Sequence, residues 1–165
     1  MSRPPRRIVI LGSGGTGKTT FARRLAARTG APLVVLDEVW RREWGAADIP
    51  AFRALVAKAH AGDAWISDGN FAQATFDLRL PRAELVVWKE APRLVSSWRA
   101  VTRTLRPGEQ HRPADIGQVL RFIWAFDRVN RPRIEGLRER IAPQVPVVRV
   151  RAATEAEALL AQLAP

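Results

Sequence analysis

The sequence predicts an α/β domain in which a five-stranded parallel sheet is covered by helices on both faces, giving three layers. Short apolar segments alternate with segments of helical spacing, and several apolar segments lack any polar alternation, as is typical of strands buried on both faces. Glycine or aspartate follows three of these segments directly. No repeat or low-complexity linker divides the chain, so we expect one domain over residues 1–165.

The first half of the chain contains three predicted strands and two predicted helices. Glycine, which favours helix stops and turns, marks several of the ends of these elements. They are a strand at 8–11, a helix from Lys18 to a stop at Gly30, a strand at 33–37, a helix over 49–61 closed by Gly62, and a strand at 64–70.

The second half contains two further strands and longer helical segments. We expect strands at 84–90 and 145–150, a helix opened by Pro92 and running to about 106, and a polar loop at 106–115. Helical segments over 116–141 should bend or break at Pro132. Thr154 and Glu157 have the spacing of a capping box at the start of the last helix.

The glycine-rich turn after the first strand fits two ligand-binding patterns. Gly12, Gly17, Lys18 and Thr19 match G-x-x-x-x-G-K-[ST], a loop that cradles the phosphates of a nucleoside triphosphate. Gly12, Gly14 and Gly17 also match G-x-G-x-x-G, the turn that binds NAD(P). Asp37 even stands about 20 positions further on, where the ribose ligand of such a fold is expected.

Lys18 and Thr19 favour the triphosphate loop. A lysine there reaches the β- and γ-phosphates and a threonine hydroxyl ligates Mg²⁺, whereas a dinucleotide turn has no use for this pair. Asp68 ends the third strand, the position from which an aspartate holds the metal's water shell, so we expect Thr19 and Asp68 at the metal. The expected nucleotide-binding residues of the loop are Gly12, Ser13, Gly14, Gly15, Thr16, Gly17, Lys18, Thr19 and Thr20.

Three stretches carry a family resemblance: "GSGGTGKTTFARRLA", "LDEVWRREW" and "WISDGNF", followed by an arginine-bearing helix. The sequence resembles the adenylate-kinase-like branch of P-loop kinases, and within it the small proteins named DNA topology modulation proteins. The resemblance implies a five-stranded parallel sheet, binding of ATP or GTP with Mg²⁺, and phosphoryl transfer to a small-molecule acceptor.

The chain also departs from relatives within that branch. Adenylate kinases follow the third-strand Asp-Gly with Phe-Pro-Arg, but here Asn70, Phe71 and Ala72 follow, which argues against AMP as the acceptor. Sugar and shikimate kinases carry Asp-x-Asp after the second strand, and only the first aspartate, Asp37, is matched here.

Four residues are candidates for the acceptor side, each with an alternative. Asp37 could orient or deprotonate the acceptor hydroxyl, or help hold Mg²⁺ through water; as a strand-end turn residue it would do neither. Asn70 could bond the acceptor or simply shape a turn. Trp40 and Trp44, four apart, would share a face of a helical turn and could wall the acceptor or lie in the core. The other tryptophans are expected in the core: Trp65, Trp88, Trp98 and Trp124.

The helix over 92–106 is predicted to begin a lid-like segment at about 99–135. It carries an apolar stripe at helical spacing, formed by Leu94, Trp98, Val101 and Leu105. Arg99, Arg103 and Arg106 occupy a neighbouring face, and the resemblance implies that lid arginines close over the triphosphate. Arg103 is our preferred catalytic and nucleotide-binding arginine; the alternative is a solvated basic face. Secondary candidates are Arg112, Arg131 and Arg133.

The net charge of +11 suits phosphate-rich ligands, and three lysines among 27 cations leave 24 arginines. A base composition that favours arginine codons would give the same excess. The alternatives to a kinase are a nucleotide-binding regulator that contacts DNA, with nucleic-acid binding expected to be non-specific, and an NAD(P)-binding domain. No nucleic-acid-binding motif stands out in the sequence.

Composition excludes several kinds of site. The chain has no cysteine, which rules out disulfides and thiolate metal ligands, and its two histidines are too few for a histidine metal site. We expect His60 on the surface and His111 in the lid. No apolar run reaches the roughly 20 residues of a membrane span, so the sequence favours a cytoplasmic protein without a membrane partner.

Overall fold

The computed structural model describes residues 3–41, 43–104 and 116–164. Five strands are present: β1 (Arg7–Gly12), β2 (Leu33–Val35), β3 (Trp65–Asp68), β4 (Leu85–Lys89) and β5 (Val147–Val150). The helices are α1 (Lys18–Thr29), α2 (Leu36–Val39), α3 (Ile49–Ala59), α4 (Ala72–Arg79), α5 (Arg93–Thr104), α6 (Ile116–Ala125), α7 (Arg131–Ile141) and α8 (Ala153–Leu163). Two 3₁₀ turns (Ala46–Asp48 and Leu80–Arg82) and a π-helical turn (Phe126–Asn130) complete the order.

The sheet is parallel throughout, with the strand order β2-β3-β1-β4-β5. The predicted five-stranded parallel sheet is therefore confirmed. The order also decides between the two glycine-loop patterns, because a dinucleotide-binding fold places β2 beside β1. Here β3 lies beside β1, with Ile10 opposite Asp68. The NAD(P)-binding alternative is wrong.

Both faces of the sheet are covered, as the uninterrupted apolar strands predict. Alternate β1 side chains point to opposite faces. Ile8 and Ile10 pack with residues of α1 and α8, including Phe21 and Leu160. Their neighbours on β1 pack on the other face with residues of α4 and α7, in a cluster centred on Phe76. The sheet thus places the carboxyl ends of β1, β2 and β3 at one common edge.

Several element boundaries differ from the prediction. The second strand ends at Val35, because the chain turns at once into α2, so Asp37 lies in a helical turn and not on a strand. The helix α4 was not predicted. The break near Pro132 is a π-helical turn that precedes α7, and Pro132 itself occupies the first turn of α7.

The last helix is also capped differently. The Glu155 carboxylate accepts the N–H groups of Arg151 and Ala152, at 2.7 and 3.2 Å, so the predicted capping box of Thr154 and Glu157 is wrong. The Glu157 carboxylate instead pairs with the guanidinium of Arg24 on α1. This ion pair ties the last helix to the helix that follows the glycine loop.

The tryptophans divide into two groups. Trp65 and Trp88 are buried, as predicted, but Trp98 and Trp124 are 70% and 50% exposed, so their assignment to the core is wrong. The α5 stripe faces outward at Leu94 and Trp98, whereas the buried face carries the small residues Ser96 and Ala100. Small side chains let the α5 backbone approach the glycine loop closely.

The surface position expected for His60 is also wrong. His60 is buried; its ring packs on Trp65 with centroids 4.7 Å apart, and its Nδ1 lies 2.6 Å from the Val56 carbonyl oxygen. Burial lowers the pKa of His60 to about 4. Within the described ranges, no helix combines the length and apolar character needed to cross a membrane.

Candidate active site

The glycine loop between β1 and α1 is packed so tightly that two of its glycines cannot be replaced without displacing backbone. A Cβ on Gly12 would lie 2.1 Å from the Lys89 carbonyl oxygen, and one on Gly15 would lie 2.1 Å from the Ser96 carbonyl oxygen. Gly12, Gly15 and Gly17 also have φ angles of 141°, 71° and 84°, which side chains rarely adopt. The loop is therefore held by β4 and α5 in a shape that only glycine allows.

Inside the loop, the Ser13 carbonyl oxygen accepts two hydrogen bonds. One comes from Lys18 Nζ at 2.7 Å and the other from Thr16 Oγ1 at 2.9 Å. These bonds fold the lysine side chain back over the loop. Thr20, also a predicted loop ligand, is exposed on the first turn of α1.

Lys18 lies among the other predicted catalytic groups. Desolvation by burial lowers the pKa of Lys18, while the charges of Asp68 and Asp37 oppose that shift and the Arg103 guanidinium adds to it. All three side chains are thus close enough to act on the ammonium. The fold brings together a lysine, two carboxylates and an arginine that stand up to 85 positions apart in the sequence.

Thr19 and Asp68 form the most specific contact of the site. Thr19 Oγ1 donates to Asp68 Oδ2 at 2.5 Å. Asp68 Oδ1 is buried and has no hydrogen-bond partner among the described residues. Desolvation raises the pKa of Asp68, and the nearby Lys18 charge partly offsets that rise. A buried carboxylate oxygen without a donor is a position that a hydrated cation would satisfy.

These oxygen groups fit Mg²⁺ bound together with a nucleotide. Magnesium at phosphate-transfer sites takes one or two protein oxygens and fills the rest of its octahedron with water and phosphate. Among the described residues, no group of three or more acidic or histidine side chains could hold a metal without such help. A hydroxyl and a carboxylate beside a phosphate-binding loop are the ligand types that this arrangement needs.

Asn70 links the end of β3 to the loop. Its Oδ1 accepts the Gly12 N–H at 3.1 Å, and its Nδ2 donates to the Gly12 carbonyl oxygen at 2.9 Å. Both polar ends of the amide are thus used on the backbone of one glycine, 58 positions away. This contact fixes the first residue of the loop relative to Asp68.

A fully buried arginine supports that turn from beneath. Arg79 Nη1 donates to the Gly69 carbonyl oxygen at 3.2 Å and Nη2 to the Asn70 carbonyl oxygen at 2.6 Å. Its other bonds go to the hydroxyls of Ser67 and Thr75, both at 3.0 Å. Burial lowers the pKa of Arg79 to about 9. Arg79 was not among the predicted site residues. Nothing in the local sequence, including its spacing from Thr75, indicates that this arginine is buried.

Two further cations lie beside the loop. A Cβ on Gly17 would lie 4.0 Å from Arg99 Nη1, which places that guanidinium at the loop's end. Lys89 is buried at the carboxyl end of β4, opposite Gly12, with its Nζ 5.8 Å from the Phe21 ring centroid. Desolvation and the Arg99 charge lower the pKa of Lys89. The sequence signal for this position is a lysine at the end of an apolar strand, which was not among the predicted site residues.

The remaining predicted arginines are paired with carboxylates, exposed, or outside the described residues. Arg131 is engaged by carboxylates, at 2.6 Å from Glu90 and 3.3 Å from Glu135. Arg133 is exposed on α7. Arg106, Arg112 and His111 lie in the part of the chain that the structure does not describe.

Three half-buried rings lie beyond the carboxylates, and we call them the aromatic wall: Trp40, Trp44 and Phe71. The Trp40 centroid lies 5.7 Å from that of Trp44 and 6.0 Å from that of Phe71, and all three rings pack on buried Phe52. The predicted helical turn is wrong, because α2 ends at Val39 and Trp40 is extended. The two tryptophans nevertheless lie together, although no helical turn places them on a common face.

Comparison with known proteins agrees with this geometry. The chain is 38% identical over 126 residues to the shikimate kinase of Corynebacterium efficiens, covering 68% of this chain and 70% of that protein. The chain belongs to the shikimate kinase-like family of P-loop kinases. It is accordingly a small-molecule kinase, and the predicted enzyme class is confirmed. The missing second aspartate after Asp37 does not remove it from this family.

Solved structures share the fold of this P-loop kinase. Shikimate kinase from Acinetobacter baumannii, solved with shikimate, superposes with a TM-score of 0.62 at 21% identity, over 96% of this chain and 90% of that one. A gluconokinase from Sinorhizobium meliloti 1021 gives 0.60 at 22% identity, over 99% and 95%. A family model for isopentenyl transferases matches residues 6–42, which contain the glycine loop.

Proposed function

We propose that this kinase transfers the γ-phosphoryl group of ATP or GTP to a hydroxyl group of a small molecule, with Mg²⁺ as cofactor. The observation that supports this most is the Thr19–Asp68 contact. A threonine hydroxyl at the start of α1 and a buried carboxylate with one unpartnered oxygen meet directly beside a loop that only glycine can form.

On this proposal, residues 12–20 bind the nucleotide, with the loop backbone wrapping the phosphates. Lys18 would release the Ser13 carbonyl oxygen and contact the β- and γ-phosphates. Arg103, which already acts on the Lys18 charge, would neutralise the charge that develops during transfer. Thr19 and Asp68 would hold Mg²⁺, which supplies charge neutralisation at the phosphates when it is bound.

Asp37 is proposed to act on the acceptor. It is exposed, and its charge reaches both Lys18 and Asp68, so it stands at the edge where the γ-phosphate would lie. The acceptor oxygen would bond to the γ-phosphorus as the bond to the β,γ-bridging oxygen breaks and the nucleoside diphosphate leaves. The hydroxyl proton would pass to Asp37.

Trp44 and Asn70 are the other proposed acceptor residues. Trp44 would contact the acceptor through its half-buried ring. Asn70 uses both polar ends of its amide on Gly12, so it would serve the acceptor only by exchanging one of those bonds. Its present contacts support a role in holding the loop.

The lid-like segment at about 99–135 also remains a proposal. Its described parts approach the loop, since Arg99 lies near Gly17 and an Ile123 side-chain carbon would lie 3.5 Å from a Cβ on Gly14. A segment that lies against the loop at two positions is suitably placed to sense a bound nucleotide. Within it, Arg103 is the proposed catalytic arginine.

The two carboxylates should respond differently to substitution. Asp68→Asn is expected to weaken Mg²⁺-dependent nucleotide binding about 10- to 100-fold, because a neutral amide holds the metal and its waters poorly. Asp37→Asn should lower turnover about 10²-fold or more while leaving ATP affinity within a few-fold. Titration of Mg-ATP and a steady-state assay on each variant measure these effects. Small and equal effects would show that both are turn residues only.

A regulator that contacts DNA is the second candidate, favoured by the net charge of +11 and by the resemblance to DNA topology modulation proteins. A protein this basic binds any polyanion at low salt through counterion release. We therefore propose that DNA binding is non-specific and secondary to phosphoryl transfer.

A further inference from the structure

Two arginines hold the turns at opposite ends of β3, and both lie between β3 and β4 in the chain. Arg82 bonds to three consecutive carbonyl oxygens that precede β3. Arg79 bonds to the carbonyl oxygens of Gly69 and Asn70, which follow β3, at 3.2 and 2.6 Å. A guanidinium is a planar fork of donors, so one side chain can hold several acceptors at fixed positions. The Arg79 turn lies at the sheet edge that carries Asp68.

Arg79 also reaches the third carbonyl oxygen of its turn, through a hydroxyl. Its Nε donates to Thr75 Oγ1 at 3.0 Å, and that hydroxyl donates to the Phe71 carbonyl oxygen at 2.9 Å. Phe71 has a φ of 31°, the one positive value outside glycine among the described residues. Left-handed backbone is unfavourable for a residue with a side chain, and it persists only where the surroundings enforce it. Arg79 and Thr75 supply contacts of this kind to the turn over residues 69–71.

The end of β3 and this turn carry the side chains that join the sheet edge to the glycine loop. The Asn70 amide bonds to both the N–H and the carbonyl oxygen of Gly12, at 3.1 and 2.9 Å. Asp68 accepts the hydroxyl of Thr19 at 2.5 Å. Gly12 begins the loop and Thr19 follows it, so the two contacts hold both ends of the loop. The turn on which Arg79 acts therefore helps to set the position of Asp68 relative to the loop.

The glycine loop has further supports that do not involve Arg79. A Cβ on Gly12 or on Gly15 would meet the backbone of β4 or α5 at 2.1 Å, so the loop is packed against both elements. The loop should therefore keep its shape when Arg79 is replaced. Mg²⁺ is more demanding, because it requires near-ideal octahedral geometry with oxygen ligands at about 2.0–2.1 Å. A small displacement of Asp68 would therefore weaken metal binding more than nucleotide binding.

We propose that Arg79 is a positioning residue for Mg²⁺, acting through the turn that it holds. It keeps the Asn70 amide on Gly12, and thereby keeps Asp68 at the distance from the loop that the metal requires. The proposal rests on the Mg²⁺-dependent kinase function above and adds a residue that touches neither the nucleotide nor the metal. Arg79 is fully buried, so its effect passes through the turn and not through direct contact.

The test measures the Mg²⁺ concentration that half-saturates binding of an uncleavable ATP or GTP analogue to the full chain. Arg79→Met should raise this concentration about tenfold or more, since groups that hold a metal ligand in place typically change metal affinity 10- to 100-fold. Affinity for the analogue in excess EDTA should change less than about threefold, because the loop backbone carries that binding. Loss of stability alone would weaken binding in EDTA as much as in Mg²⁺. The two measurements together therefore separate positioning from stability.

Arg82→Met is the matched control. Arg82 bonds to the carbonyl oxygens of His60, Ala61 and Gly62. The substitution thus removes the same kind of contact from the other end of β3. It should leave the half-saturating Mg²⁺ concentration within about twofold of that of the unmodified chain, because distant sites act independently. Equal values for Arg79→Met and Arg82→Met would overturn the proposal.

Two further variants give a result even if Arg79→Met does not fold. Arg79→Lys retains the charge but not the planar fork, and should raise the half-saturating Mg²⁺ concentration about threefold or more. Asn70→Ala removes the amide and should raise it about tenfold. Adding Arg79→Lys to Asn70→Ala should raise it less than about twofold further, because contacts within one network are not additive. A full Arg79→Lys effect in the Asn70→Ala background would show that Arg79 does not act through this amide, and would overturn the proposal.

The kinase function and the positioning role of Arg79 fail in different ways. Binding of the analogue to the unmodified chain that did not depend on Mg²⁺ would contradict the proposed metal site, and the role of Arg79 with it. Mg²⁺-dependent binding with the same half-saturating concentration in the unmodified chain and in Arg79→Lys would overturn the positioning role alone.

Discussion

Replacing Lys18 by alanine should abolish measurable phosphoryl transfer while leaving the fold intact. Lys18 is the one lysine inside the glycine loop, and its ammonium acts in a half-buried position where electrostatic interactions are poorly screened. Removing a group that stabilises transition-state charge costs about 10²–10³-fold in kcat. The single hydrogen bond lost in the free protein, to Ser13, is worth only about 1 kcal/mol.

The matched control is Lys58→Ala. Lys58 is exposed on α3, away from the loop, and the substitution removes the same charge from the chain. Steady-state nucleoside diphosphate release and thermal melting should be measured on both variants. Equal turnover by the two variants would show that Lys18 does not act on the nucleotide, whatever the loop pattern indicates.

Gly12→Ala and Gly15→Ala should each destabilise the domain, and each should do so more than Gly14→Ala. A Cβ on Gly12 would lie 2.1 Å from the Lys89 carbonyl oxygen, so β1 and β4 would have to separate, and the φ of 141° is strained for alanine. Overpacking and backbone strain each cost about 1–3 kcal/mol. Because 1 kcal/mol shifts the melting temperature of a domain this size by about 2–4 °C, a fall of roughly 4 °C or more is expected.

Gly14→Ala is the matched control for this experiment. Its Cβ would meet the Ile123 side chain at 3.5 Å, an ordinary contact, and its φ is not in the left-handed region. The free energy of unfolding should change by less than about 1 kcal/mol. If Gly12→Ala and Gly14→Ala melted at the same temperature, the close approach of the loop to β4 would be contradicted.

The sequence predicts the features of this fold that depend on local pattern. Neighbouring residues alone indicate the apolar strands, the end of the first helix at Gly30 and the Gly17-Lys18-Thr19 motif. The meeting of Thr19 with Asp68 follows from one further step, because parallel strands end at a common edge. Nothing in the local sequence indicates that β3, and not β2, lies beside β1.

The missed features depend on contacts between distant residues. The Asn70 bonds to Gly12 span 58 positions, and nothing in the local sequence indicates where an amide will reach. Arg79 is buried because four acceptors converge on it, whereas its residue type predicts exposure. The stripe with Leu94 and Trp98 has helical spacing, but spacing does not indicate which face of α5 meets the domain. Close packing on the loop requires Ser96 there instead.

Phosphoryl transfer by this basic chain is tested most directly by measuring transfer and DNA binding side by side at about 50 and 200 mM salt. Over that range a non-specific complex with several phosphate contacts loses orders of magnitude in affinity, because counterion release drives it. Contacts between the loop and bound phosphates would be enclosed and therefore less screened by salt. We predict that phosphate transfer from γ-labelled ATP to a small molecule persists across the range, is absent in Lys18→Ala, and accompanies DNA binding that is weak and unselective at 200 mM. Salt-resistant, sequence-selective DNA binding without transfer to any acceptor would contradict the assignment.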